Sequence, residues 1–128
     1  MATRQSFTAG QVLTAVQQNA LATAMIAINA QTGTTYTTVL TDDGKLITCD
    51  NASAIALTIP LNASVAYGIG TQLNIMQLGA GQVTITPATA GVTLRSAGSK
   101  LKTSAQYAVA TCVKIATDTW VVVGNLAA

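Results

Sequence analysis

Histidine and glutamate are absent from this chain of 128 residues; aromatic residues make up 4% of it and charged residues 8%. Most reaction types need a positioned proton carrier or a metal. Here the only acids are Asp42, Asp43, Asp50 and Asp118. Asp42 and Asp43 stand together in Asp42-Asp43-Gly44, a turn signal rather than an acid/base pair. Asp118 sits in a turn before Trp120. A cysteine nucleophile would lack its usual His base. Ser96, Ser99 and Ser104 lie near Lys100 and Lys102, but Ser beside Lys is common in turn-rich sequence. Cys49 and Cys112 match no metal or redox spacing, and zinc would need further Cys or His ligands. Gly68-Ile69-Gly70 lacks the third glycine and the strand–helix setting of a dinucleotide site, and Gly98-Ser99-Lys100 has the wrong order for a phosphate loop. The expectation is no enzymatic activity, no cofactor and no metal.

Charge is scarce in both signs. Ordinary domains carry ~25% charged residues. The net charge of +2 is too weak and too scattered to replace phosphate counterions, so no nucleic-acid partner is expected. Arg95, Lys100 and Lys102 fall close together, in a stretch that reads as a solvated loop or a docking site for an acidic partner. Residues Met1–Gly10 have no apolar core of a signal peptide. The apolar window Val12–Ala30 is interrupted by Gln17, Gln18 and Asn19, a poor fit to a ~20-residue membrane span. A chain made in a cytoplasm, with no membrane partner, is expected.

Half of the residues are hydrophobic, which argues against disorder. At this length one domain can bury a real core. Thr, Ser, Asn and Gln then supply the wet surface, and part of the rest is expected to be covered by other subunits. Region 1–32 reads as an arm with one aromatic anchor, Phe7, followed by a helix over Gln11–Ala30. Val12, Val16, Ala20, Ala24 and Ile28 recur at every fourth position and form one apolar stripe, a surface for attachment or for contacts between subunits. Gly33 suits the position just past the helix.

From residue 33 onward the period is two. Ile55, Leu57 and Ile59 alternate with Ala56 and Thr58; Val83 and Ile85 with Thr84 and Thr86; Val92 and Leu94 with Thr93 and Arg95. Val109, Thr111, Val113 and Ile115 share one face of a longer strand, and Thr117-Asp118 turns it into Thr119–Val123. Leu73–Leu78 breaks parity, which predicts a bulge or burial on both faces. The Gly79-Ala80-Gly81 turn predicts a hairpin between Leu73–Leu78 and Gln82–Thr86. Short strands between Gly and Asn turns, with no helix for a βαβ unit, predict a mainly β fold over 33–128: an antiparallel β-sandwich, jelly-roll-like or barrel-like, preceded by the one N-terminal helix. Cys49 and Cys112 fit packed free thiols, with a disulfide, within or between subunits, as the sharper alternative. Trp120, Tyr36, Tyr67 and Tyr107 are the only candidates for a sugar platform, and Trp120 in its Val run fits a core better.

The stretches Tyr36–Lys45 (YTTVLTDDGK), Asn51–Val65 (NASAIALTIPLNASV), Gly70–Gln77 (GTQLNIMQ), Gly79–Thr84 (GAGQVT), Gly91–Arg95 (GVTLR), Gln106–Ala108 (QYA) and Thr117–Gly124 (TDTWVVVG), in this order, resemble a β domain of tailed-bacteriophage virion proteins. Phe7–Leu13 (FTAGQVL), followed by Thr14 and Asn19, is similar to N-termini of phage structural proteins. The resemblance implies a trimeric β-sandwich module of head fibres, capsid decoration proteins, or minor tail and tail-fibre proteins, and supplies no catalytic residues. It implies a location in the virion and partners among other copies and the major capsid protein or another virion protein. The tail reading adds a host glycan. A chain with the β module and little more favours a decoration or short head-fibre protein.

Overall fold

A computed structural model describes residues 26–128 together with Ala9, Gly10, Val12 and 14–16. The fold is mainly β, in two mixed sheets. Along the chain, β1 (Ile28–Gln31), β3 (Leu46–Cys49) and β5 (Gln72–Gln77) go to a six-stranded sheet. The strands between and after them, β2 (Thr35–Thr37), β4 (Ile55–Ile59) and β6 (Val83–Pro87), go to a five-stranded one. The chain therefore winds back and forth, and each sheet gains parallel neighbours: β1 beside β3 beside β5, and β2 beside β4 beside β6. Parallel strands need a long crossover, usually a helix. Here the crossover is a strand of the opposite sheet.

The second half closes the structure with antiparallel pairing. The hairpin of β9 (Val109–Ala116) and β10 (Thr119–Gly124) extends the larger sheet from β5, and β7 (Thr93–Arg95) ends it, parallel to β10. In the smaller sheet β8 (Lys102–Thr103) pairs antiparallel with β6, and β11 (Leu126–Ala127) with β8. The wholly antiparallel arrangement expected from sequence is thus corrected to a mixed one.

Period-two burial makes one shared core. Ile47, Cys49, Leu73, Ile75, Ala110, Cys112, Trp120 and Val122 come from the larger sheet, and Ile55, Leu57, Ile59, Val83 and Ile85 from the smaller. Tyr67 meets Trp120 edge-on, ring centroids 5.4 Å apart. Such a pair adds ~0.5–1.5 kcal/mol to the burial of the two rings.

Three further expectations change. The first concerns the helix: Ala15 and Val16 are helical, but Ile28–Ala30 form a strand, and Phe7, Ala20 and Ala24, expected on the arm and the stripe, lie outside the described residues. Asn29 and Gln31 share a face with Ile47 and Cys49, so polar side chains point to the core side and hide the strand period. Pairing with β3 and the bonds of Asn29 to Tyr36 and Asp42 outweigh the local helical spacing. The six-stranded sheet therefore begins at Ile28, ahead of the boundary expected at residue 33.

The second concerns Gly79-Ala80-Gly81, which makes no hairpin. It carries the chain from β5 in one sheet to β6 in the other. A Cβ on Gly79 would lie 2.6 Å from the Asn51 nitrogen, and one on Gly81 1.9 Å from the Ser53 oxygen. The glycines serve a close stacking of this corner on the β3–β4 corner. Third, β5 has no bulge: Leu73, Ile75 and Gln77 point inward in strict alternation. The apparent break in parity arose because Gln77 takes an inward position. Its amide donates to the carbonyls of Gly79 and Ala80, and its oxygen accepts from the Thr103 hydroxyl, so the buried group is satisfied.

Candidate interaction surface

Among the described residues no group of three or more His, Cys, Asp or Glu could hold a metal ion. Ser96 turns its hydroxyl to the Ala97 and Lys100 carbonyls. Asp42 is fully buried as an acceptor for Asn29, Tyr36 and the Val39 N–H. Lys114 is buried too; its Nζ donates to Asn62 Oδ1 at 2.6 Å and to the Tyr67 carbonyl at 2.7 Å. The Asn62 N–H in turn donates to Asp118. These groups tie loops to the core. Their polar atoms bond to other groups of the chain.

Cys49 and Cys112 are free and fully buried, on β3 and β9. Burial pushes their thiols up, to about 11 and about 12. Burial, and for Tyr36 the bond to Asp42, pushes the Tyr36 and Tyr67 hydroxyls up to about 12. All four values lie above the ordinary ones, so the stability they carry is whole below about pH 9. It is lost as the pH rises from there to about 12. We expect neither thiol to react with Ellman's reagent at pH 8 until denaturant is added, and the melting temperature to fall steeply in that alkaline range. Rapid labelling of the native chain would show that the thiols are not held as described.

Of the four sugar-platform candidates, Trp120 and Tyr67 are core residues, Tyr36 is half-buried and Tyr107 is exposed. The surface that stands out is the outer side of the six-stranded sheet. Strand register places Ile28, Leu46, Asn74, Thr111 and Val123 in one row. Ala30, Thr48, Met76 and Val109 form a second, and Gln72, Val113, Val121 and Arg95 a third. Arg95, at the far edge, is the one charge in these rows. Ile28 is 57% exposed, Val123 50% and Ile115 48%. Ile26, Val16 and Val12, ahead of β1 in the chain, are exposed apolar residues as well.

The other sheet has an outer face of opposite character. Thr35 pairs with Ala56 and then Thr84, and Thr37 with Thr58 and then Thr86. The Thr58 and Thr86 hydroxyls lie 3.3 Å apart. One face is thus wetted by hydroxyls, whereas the other is largely apolar: Gln72 and Thr111 both donate to Asn74, and Arg95 is the one charge in its rows. Sequence alone could assign Val109, Val113 and Ile115 to a common face, but which face the core would take was not readable without the topology. No protein-family model and no curated protein matches the chain.

Proposed function

We propose that this chain is a structural protein of a phage virion: a homotrimeric capsid decoration or short head-fibre protein, built on a two-sheet sandwich, that binds and stabilises the head shell. The observation that carries the reading is the largely apolar outer face of the six-stranded sheet, with Ile28, Val109, Ile115 and Val123 exposed on it and its one charge, Arg95, at the far edge. Monomeric proteins seldom expose contiguous apolar patches above a few hundred Å2. Covering such a face contributes ~25 cal/mol per Å2, accumulated over many copies on a shell. A chain with few titrating groups suits that task, because it works by burial rather than by proton transfer.

Two measurements test this. Val109→Asp with Val123→Asp places carboxylates on the apolar face, where both side chains are solvent-exposed in the single chain. Sedimentation is expected to show trimers for the native chain and monomers for the variant, both folded. A native chain that stays monomeric at micromolar concentration would refute the trimer. The second is attachment: deleting residues 1–25 leaves β1 whole and is expected to abolish occupancy on purified particles. Unchanged occupancy rules out attachment through this region. The tail reading, a minor tail or tail-fibre protein bound to host glycan, draws on the exposed ring of Tyr107. It predicts a handful of copies per particle, against hundreds for decoration.

A further inference from the structure

At one corner the six-stranded sheet leaves a strand position open. β7 pairs with β10 only through Thr93–Arg95 against Thr119–Val121. At Ser96 the chain leaves the sheet through the turn Ala97–Ser99, with Gly98 and Ser99 in the left-handed region. β10 runs on through Val122, Val123 and Gly124, paired on its other side with β9 but, among the described residues, with no strand beside it where β7 would continue. Across the gap stands β11, the edge of the other sheet. Between them lies a groove of about 560 Å3. Val121, Val123 and Leu126 give it an apolar lining, and among the described residues Arg95 and Lys100 are the charged ones that line it. Both cations are exposed, and among the described residues no acid lines the groove. Lys102, grouped with them by sequence, lies instead on β8 and is not part of it.

We propose that this groove is a docking site for an extended acidic segment of another protein, which adds as a strand along the free edge of β10 and sets carboxylates against Arg95 and Lys100. An open strand edge supplies backbone hydrogen bonds to an added strand, and side-chain pockets select its sequence. Two unpaired cations over an apolar floor select alternating apolar and acidic side chains, through charge-assisted bonds that guanidinium and ammonium groups make well with carboxylates. A sugar is a poorer fit, since among the described residues no aromatic ring lines the groove. A second copy of this chain is a poorer fit as well. None of its acids lies on a free strand among alternating apolar residues: Asp42 is buried, Asp43 is in the turn before β3, Asp50 directly follows β3, and Asp118 is in the β9–β10 turn. The sequence before Asp42 contains no acid at all.

The test uses the full chain and fluorescently labelled short peptides alternating Val with Glu, Gln or Lys. The Glu peptide is expected to bind about tenfold or more tighter than the other two, and to weaken as salt rises. Arg95→Gln with Lys100→Gln is expected to bring its affinity down to that of the Gln peptide, whereas Arg95→Lys with Lys100→Arg retains most of it. Amide chemical shifts should move at Ser96 and at Val122–Gly124. Equal affinity for the Glu and Gln peptides, binding that survives the double Gln variant, or shift changes confined elsewhere would overturn the proposal. So would tighter binding of a polysialic acid oligosaccharide than of the Glu peptide, because that ligand has no backbone to add to a strand.

Discussion

Replacing Gly81 by alanine is expected to destabilise the fold by about 3–5 kcal/mol and to lower its melting temperature by roughly 10–20 °C. The added Cβ would lie 1.9 Å from the Ser53 oxygen and 2.5 Å from the Ser53 carbonyl carbon. Both are backbone atoms, so no side chain can swing aside. Relief requires the β5–β6 corner to lift off the β3–β4 corner. That movement would break the Gly81 N–H bond to the Asn51 carbonyl and disturb the nearby Ile55 bond to the Gln82 carbonyl. The register of β4 beside β6 depends on those bonds. Against a total stability of ~5–15 kcal/mol the loss is large. Gly68→Ala is the control: nothing lies within 4 Å of its added Cβ, and its melting temperature should stay near that of the native chain. Thermal denaturation of both variants, followed by circular dichroism, decides the matter. A Gly81→Ala protein that melts with the native one would mean that the two corners do not stack as described.

The same glycines show what could and could not be read from the sequence. Alternation placed Ile55–Ile59, Val83–Thr86, Val109–Ala116 and Thr119–Val123 in strands, and each is a strand. The turn at Thr117-Asp118 joins β9 and β10 as a hairpin, with Asp118 in the left-handed conformation that Asp tolerates better than most residues. Local chemistry settles turns of this kind. It does not say whether a Gly-rich turn folds two strands into one sheet or sends them to opposite sheets, because both need a tight reversal. That choice rests on distant partners: β6 finds β4, twenty-eight residues back in register, rather than β5. The parallel half stayed hidden for a related reason. Parallel strands were expected to announce themselves through a helical crossover, and here the crossover is another short strand. At Ile28–Gln31 and at Gln77 polar side chains face inward, where the pattern assumes apolar ones, and only their buried hydrogen bonds explain the placement.

The apolar outer face was legible only in part. A run such as Trp120-Val121-Val122-Val123 suggests a strand covered on both sides. In the single chain Trp120 and Val122 are buried, while Val123 remains half exposed. The second layer of cover, in the proposed function, comes from other subunits. The basic groove was less legible still. Its two cations were visible as a loose cluster, but the missing strand beside β10 that gives them a use is a property of topology.

Asp42→Ala is expected to cost about 3–6 kcal/mol, an effect whose physical origin is the loss of one buried acceptor for three donors. Asp42 Oδ1 accepts from Asn29 Nδ2 at 2.8 Å, and Oδ2 accepts from the Tyr36 hydroxyl at 2.5 Å and the Val39 N–H at 3.0 Å. Alanine leaves those three groups without that acceptor, each at about 1–3 kcal/mol where water cannot replace it. Asp42→Asn should fall between. Its single carbonyl oxygen can serve the Tyr36 and Val39 side, but its NH2 then meets the Asn29 amide, which keeps only its second bond, to the Tyr36 oxygen at 2.9 Å. Tyr36→Phe should cost about 1 kcal/mol and add less than its full effect to Asp42→Asn, since both act on one network. The loss is also expected to be local before it is global. Asn29 belongs to β1 and Tyr36 to β2, the edge strands that this carboxylate ties together. Hydrogen exchange should therefore quicken first at Ile28–Gln31 and Thr35–Thr37 in Asp42→Asn. Because Ile28 lies on the apolar outer face, the same variant should weaken trimer formation while the β9–β10 hairpin keeps its protection. If Asp42→Ala instead unfolds within 1 kcal/mol of the native chain, the two edge strands are held by backbone pairing alone, and the carboxylate has no part in presenting that face.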